Sequence, residues 1–358
     1  FPNAKLLVST ATETGYLTAL QKLGRLVDGV FYAPLDFSFL ARRTLEHLQP
    51  WLVIVAETEI WPNLFREVKR FGASLLMVNA RISDRSAPRY RRFRFFFRRV
   101  LSFPDAILAQ SPLDQQRFLE AGAPAGKVEA GGNLKFDTGA VAAAPPVDLT
   151  AFLERRKPAA VVLAGSTREG EEIQVVEAFS QVVAKHPGSL LILAPRHAER
   201  FDTVAQLLSQ AGYGVLRRSK LSSPSQPPHR ILLLDSLGEL ASLYSLADVV
   251  FVGGSLVTWG GHNVLEPAFA GRPIVVGPHM QNFRAIADGL AAAGGLVQVQ
   301  DAGSLAAALI RLLEDRRQAG DIGEKARRYA QSERGATRRA VDRAEQLYHH
   351  AIPNQPPR

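Results

Sequence analysis

The stretch Val249-Val250-Phe251-Val252-Gly253-Gly254-Ser255-Leu256, continued by Gly260-Gly261-His262-Asn263-Val264-Leu265-Glu266-Pro267 and Gly271-Arg272-Pro273-Ile274-Val275-Val276-Gly277-Pro278, decides the reading of this chain. An apolar run rich in β-branched residues, with no alternation, is the pattern of a strand buried on both faces in a parallel sheet. Glycines stand where that strand ends, and a helix is expected behind them. Main-chain N–H groups can approach an anion there, and a helix N-terminus adds positive partial charge. The second apolar run, Pro273 to Val276, ends in Gly277-Pro278-His279 and so brings another strand end to the same edge. The stretch predicts a crevice for a phosphorylated ligand of the nucleotide-sugar kind.

Outward from it the same rhythm recurs. Ala159 to Ala164, Leu190 to Ala194 and Ile231 to Leu234 read as further strands of one series. Leu6 to Val8, Val30 to Tyr32, Trp51 to Ala56, Ala73 to Val78 and Ala106 to Ala109 form an earlier one, with amphipathic helical patterns between them. Alternation of strand and helix is the mark of doubly wound α/β domains. The expected division is a first domain over 1–138, a linker over 139–148, a second domain over 149–332, and a C-terminal helix and tail over 333–358. The linker is placed by the Ala, Gly and Pro of Gly139 to Pro146, and Ser219 to Pro228 reads as a surface loop. The charged helical segment Asp321 to His350 is long enough to run back to the first domain.

The bulk numbers agree with two domains. The chain has 358 residues, 46% of them hydrophobic, which suits a globular protein too long for one core. With no cysteine, disulfides, thiolate zinc and iron–sulfur chemistry are excluded. A net charge of +9 favours an anionic partner: a phosphorylated substrate, an acidic membrane surface or nucleic acid. No transmembrane or signal-peptide pattern is seen, and the start at Phe1-Pro2-Asn3 gives the expectation of a processed chain or a fragment.

Several residues could carry chemistry. Ser166 with Glu169, Ser236 with Glu239 and Asn263 with Glu266 each follow a strand at the spacing of a capping box. Their carboxylates either satisfy helix N–H groups or face a ligand at the sheet's carboxyl edge, where Glu266 could accept both hydroxyls of a ribose. Arg196, in Pro195-Arg196-His197, falls at the same edge and suits bidentate recognition of phosphate; a surface ion pair with Glu199 is the plainer reading. His197 and His262 read as hydrogen-bonding spacers, since no three-ligand metal spacing is present.

In the earlier series, Glu57-Thr58-Glu59-Ile60-Trp61-Pro62-Asn63 ends an apolar strand in two carboxylates on one side, so at least one is expected to face a cleft. Lys135 lies just before the linker and could stand over developing negative charge. Arg91-Arg92-Phe93-Arg94-Phe95-Phe96-Phe97-Arg98-Arg99 reads either as a core-facing Phe stripe with a solvated basic face or as an amphipathic contact with an acidic membrane. No RNA- or DNA-binding module accompanies it, so nucleic acid is not an expected partner.

Taken together, Glu57 to Asn63, Asn79-Ala80-Arg81-Ile82-Ser83, Gly132-Asn133-Leu134-Lys135-Phe136-Asp137, Pro195 to Phe201 and Gly253 to Pro267 resemble 3-deoxy-D-manno-octulosonic acid (Kdo) transferases, across nearly the whole chain. The resemblance implies a GT-B fold, two Rossmann-like domains facing a central cleft. It implies an inverting, metal-independent glycosyltransferase, without a cofactor, that moves Kdo from CMP-Kdo to a lipid A precursor in lipopolysaccharide synthesis. It also implies a peripheral position on the anionic cytoplasmic face of the bacterial inner membrane. By motif, Pro195 and Arg196, Leu237, Gly238 and Glu239, and Asn263, Val264, Leu265 and Glu266 would hold the CMP portion. Glu57 and Lys135 would match the pair that stabilises the transition state.

Family members carry a membrane-anchoring stretch and a Ser-Val-Gly-Glu segment with the catalytic base ahead of the part that matches here. Neither stands in this sequence, so the expectation is that the chain binds CMP-Kdo but, lacking the general base, transfers poorly or not at all. Other GT-B nucleotide-sugar transferases or epimerases, and a non-catalytic nucleotide- or lipid-binding module, are the alternatives.

Overall fold

The structure, a computed structural model, describes residues 4–138, 144–221 and 230–351. It divides into two units, Phe1–Leu134 with Gly335–Arg358, and Lys135–Arg334.

The first unit holds two parallel sheets. Strands β1 (Leu7–Thr10) and β2 (Gly29–Tyr32) pair with each other, and β3 (Leu52–Ala56), β4 (Ser74–Ala80), β5 (Ala106–Ala109) and β6 (Val128–Ala130) follow in that order across a second sheet. β4 is buried along its whole length, which its run Leu75-Leu76-Met77-Val78 requires. The helix Pro62–Phe71 begins with proline, whose missing N–H would have no helical partner there, and stops at Gly72, whose φ of 90° a side chain would resist. Its Phe65 and Val68 are fully buried, worth about 1.5–3 kcal/mol each. The helix Ala336–Ala351 belongs to this unit: its Ala344 packs with Leu76 and Leu108, and Ser74 Oγ donates to the carbonyl of Leu347.

The second unit contains one seven-stranded parallel sheet. β7 (Val161–Thr167), β8 (Leu190–Pro195), β9 (Val215–Arg217), β10 (Ile231–Leu233), β11 (Val249–Val252), β12 (Ile274–Val276) and β13 (Leu296–Gln298) stand in the order β13-β12-β11-β7-β8-β10-β9. The chain starts at β7, winds out through β8 to β9 and β10, and then crosses to β11 on the other side of β7. The order therefore reverses at the β7/β11 boundary, the place where open α/β sheets bind ligands. All four residues of β11 are fully buried, as its unbroken apolar run demands.

The remaining sequence boundaries need adjustment. The helix Val147–Arg156 starts inside the stretch expected as linker, while residues 139–143 and 222–229 and the tail from 352 lie outside the described residues. The expected single helix over Asp321 to His350 is two, Arg316–Ser332 and Ala336–Ala351, separated at Gly335 with φ 99°. No helix among the described residues is long and apolar enough to cross a membrane.

Candidate functional site

The site of the second unit is built on the carboxyl ends of β10, β8, β7 and β11, four adjacent strands. Its geometry begins with a correction. The N–H groups of Gly254, Ser255 and Leu256 do not stand open for a ligand anion: they donate to the carboxylate of Glu171, at 2.6, 2.9 and 2.8 Å, and the N–H of Arg168 adds a fourth bond at 2.9 Å. Glu171 is fully buried. Burial pushes its carboxyl above the ordinary range, against the pull of the four N–H groups. The glycine loop is an anion cradle, as its sequence suggests, but the anion is the protein's own.

The three expected capping boxes are also corrected. Ser166 lies within β7, in the left-handed region at φ 58°, and the helix it was to cap starts later, at Glu172. The carboxylate of Glu172 is instead buried against Arg200, at 2.6 Å. Ser236 Oγ does donate to Glu239, but that carboxylate is mainly held by Arg218, through Nε at 3.1 Å and Nη2 at 3.0 Å. Arg218 also clamps Asp148, so Glu239 is part of a salt-bridge network. Asn263 Oδ1 accepts from the N–H of Leu265 at 3.0 Å while its Nδ2 donates to Glu266 Oε1 at 3.1 Å. The reciprocal box forms elsewhere, between Asp301 and Ser304 at the helix Ala302–Glu314.

What remains available is more selective than the sequence suggested. Glu266 Oε2 has no hydrogen-bond partner among the described residues; burial raises the pKa of this carboxyl, and Asn263 and the charge of Arg196 oppose the rise. Arg196 follows β8 with an exposed side chain and no ion pair among the described residues, its N–H bonded to the carbonyl of Thr167. Leu237 is exposed beside Gly238, at φ 85°. Pro195, Val264 and Leu265 are buried, and the last two belong to the hydrophobic core, so they offer no side chain to a ligand.

One site residue was missed by sequence reasoning. Arg168, directly after β7, donates from Nε to His262 Nε2 at 3.0 Å, lies 2.5 Å from His197 Nε2 through Nη1, and stands 4.4 Å from the centre of the Trp259 ring. The signal was present: Arg168 holds the place after β7 that Arg196 holds after β8. His197 and His262 are indeed hydrogen-bonding residues, and what they bond to is this guanidinium. Burial first, and then the charges of Arg168 and Arg196, hold His262 down to about 4, so it is a neutral acceptor. Gly254 makes room for it, since a Cβ there would lie 2.9 Å from His262 Cδ2.

Lys135 is the first residue of the second unit, in the short helix Lys135–Thr138, with Nζ 5.1 Å from the centre of the Phe283 ring. Glu57 belongs to the first unit. It does not share a strand face with Glu59, because β3 ends at Ala56 and Glu57 turns the chain at φ 61°. Glu59 accepts from Trp61 Nε1 at 2.6 Å, and exposed Glu57 accepts from Asn79 Nδ2 at 3.4 Å. Asn79, also left-handed at φ 52°, takes the N–H of Leu134 on Oδ1 at 3.1 Å, and its carbonyl accepts from Gln110. The carboxyl edge of this sheet thus carries a hydrogen-bonded row from Glu57 through Asn79 to Gln110 and Asn133.

Comparison with known proteins places this geometry. Residues 1–138 match the family model described as 3-deoxy-D-manno-octulosonic-acid transferase (kdotransferase). The chain is 34% identical to the 3-deoxy-D-manno-octulosonic acid transferase of Haemophilus influenzae, over 96% of this chain and 80% of that one. It is 37% identical to the enzyme of the same description from Bordetella pertussis, over 88% and 73%. Among solved structures, a glycosyltransferase from Rickettsia africae superposes with a TM-score of 0.61 at 14% identity, covering 99% of this chain and 92% of that one. Anabaena HepE in complex with UDP gives 0.60 at 16%, covering 95% and 91%.

Two units of parallel α/β sheet with these structural neighbours define the fold, GT-B, and the relatives of 34% and 37% identity define the class, a glycosyltransferase. Within that class the chain belongs to the 3-deoxy-D-manno-octulosonic acid (Kdo) transferase family.

Proposed function

We propose that this enzyme takes Kdo from CMP-Kdo and transfers it, with inversion and without a metal, to a lipid A precursor at the cytoplasmic face of the inner membrane. The observation that carries the proposal is the set of side chains that no described residue engages at the carboxyl edges of β8 and β11: Arg196 without a carboxylate partner, and Glu266 with an open oxygen, among the described residues. A guanidinium and a carboxylate at strand ends on either side of β7 suit the phosphate and the ribose hydroxyls of a nucleotide. The exposed turn at Leu237 and Gly238 supplies main-chain groups for the rest of the CMP portion.

In the reaction the bond from the anomeric carbon to the phosphate oxygen breaks and its electron pair leaves with CMP. The acceptor hydroxyl bonds to the same carbon from the opposite side and gives its proton to a general base. Positive charge grows at the sugar and negative charge on the phosphate. Arg196 and Lys135 oppose the second of these, and Glu57 the first.

The test is thermal unfolding with CMP and with UDP. Saturating CMP at about 100 times its Kd stabilises by roughly 2.7 kcal/mol. Arg196→Gln and Glu266→Gln should each weaken that effect. Stabilisation by UDP and not by CMP would assign the chain to another nucleotide-sugar enzyme.

A further inference from the structure

The donor we propose carries two anions: the phosphate, and the carboxylate that a 2-ulosonic acid bears on its anomeric carbon. Two cations stand at adjacent strand ends. Arg168 follows β7 at the point where the strand order reverses, and Arg196 follows β8. We infer that they divide the work, Arg196 taking the phosphate and Arg168, held by His262, His197 and Trp259, taking the sugar carboxylate.

The guanidinium of Arg168 is fixed without being neutralised. Among the described residues its two hydrogen-bond partners are imidazole nitrogens, and its stacking partner is the Trp259 ring. Nη2 has no hydrogen-bond partner among the described residues, so the edge formed by Nη1 and Nη2 can still receive a planar carboxylate. A fork held on three sides has already lost its rotamer freedom, which favours bidentate recognition over a diffuse charge contact.

Positive charge is concentrated around it. Burial and the neighbouring charge of Arg196 both disfavour the protonated form of Arg168, and Glu171, near enough to oppose them, is tied to four N–H groups. The preceding residue, Thr167, is fully buried and its hydroxyl has no hydrogen-bond partner among the described residues. An arriving anion would relieve the first imbalance. A sugar lacking the carboxylate would leave Arg168 unanswered, so the arrangement selects ulosonic-acid donors over neutral sugars on the same nucleotide.

The inference rests on the CMP-Kdo reading, and calorimetric titration of the whole chain separates the two. The probes are CMP and CMP-Kdo, and the proteins are wild type, Arg168→Gln, Arg168→Lys and Arg196→Gln, each checked for an unchanged unfolding transition. In Arg168→Gln, loss of a charge-assisted bidentate pair should weaken CMP-Kdo about tenfold or more and CMP less than about twofold. Arg168→Lys should recover part of the loss, while Arg196→Gln should weaken both ligands alike. Equal weakening of CMP and CMP-Kdo by Arg168→Gln would make Arg168 a phosphate residue and overturn the inference, as would no change in either. Failure of the wild type to bind either ligand would overturn the donor assignment itself. Should Arg168→Gln prove unstable, Trp259→Leu, which removes the stacking face and leaves both arginines, should weaken CMP-Kdo more than CMP.

Discussion

Glu171 and Arg168 stand three residues apart and make opposite demands on their surroundings. Glu171 is a fully buried carboxylate answered by four N–H groups, so removing it strands those groups inside the protein. An unsatisfied buried N–H costs about 1–3 kcal/mol, and water will relieve only some of the four. Glu171→Ala should therefore lose about 3 kcal/mol or more in urea unfolding, with Glu171→Gln losing less because one carbonyl oxygen remains to accept. A loss below about 0.5 kcal/mol would mean the cradle does not depend on its carboxylate. Arg168 calls for a neutral imidazole beside it, and His262 supplies one, with a pKa lowered from 6.5 to about 4. Between those values the unfolded chain binds a proton that the folded chain refuses. This contribution to stability is complete above pH 6.5 and is lost as pH falls toward 4. NMR titration of the His262 ring should place its midpoint well below 6.5; a midpoint at or above 6.5 would contradict the acceptor role.

At the scale of elements, the functional edges are made by strands whose last residues leave ordinary strand geometry. Ser166 in β7 and Asn79 in β4 both have positive φ, and each coincides with a register shift against the next strand. Such turns cost of order 1–3 kcal/mol for residues other than glycine and persist when packing holds them. Gly253 is part of that packing: a Cβ there would lie 2.6 Å from the carbonyl oxygen of Ser166 and from Thr167 Cα, both main chain. Gly253→Ala should destabilise the second unit by roughly 1–3 kcal/mol, since only a shift of β7 can relieve the clash. Gly126→Ala, where nothing lies within 4 Å, should leave the denaturation midpoint unchanged. Equal behaviour of the two variants would refute the clash. This geometry also marks the limit of what the sequence could disclose. Runs such as Val249 to Val252 announce their strands because burial on both faces leaves no other use for them. The three-residue strands β6, β9 and β13 have no such run and are held by their neighbours in the sheet. The capping-box spacing of Ser166 and Glu169 misled because a left-handed residue inside β7 moved the helix start, and no local pattern encodes that turn.

For the molecule as a whole, the net charge of +9 favours an extended anionic surface as well as an anionic small molecule. The helices Ala87–Arg92 and Arg94–Val100 of the first unit settle the reading of their Arg and Phe residues unevenly. Phe97 turns inward and stacks on Tyr90 at 4.2 Å, as a core stripe would, while Phe93, Phe95 and Phe96 are exposed, Phe95 by 79%. Arg94, Arg98 and Arg99 line a recess of about 610 Å³ with Phe95, Gly122 and Pro124, and none of the three has a carboxylate partner among the described residues. Exposed aromatics between unpaired arginines suit an interface where headgroups are anionic and acyl chains lie just beneath. We therefore expect the protein to sediment with vesicles containing anionic phospholipid and not with zwitterionic ones. Near such a surface each Arg contributes about 1 kcal/mol, so Arg94→Gln with Arg98→Gln should lower partitioning by about tenfold or more. Raising salt should weaken wild-type binding steeply, because the Debye length shrinks from about 10 Å at 0.1 M to about 3 Å at 1 M. Phe95→Ser should act differently, reducing the binding that survives high salt. Partitioning that ignores both salt and the arginine substitutions would remove this face from the membrane contact and leave the net charge to serve the anionic substrates alone.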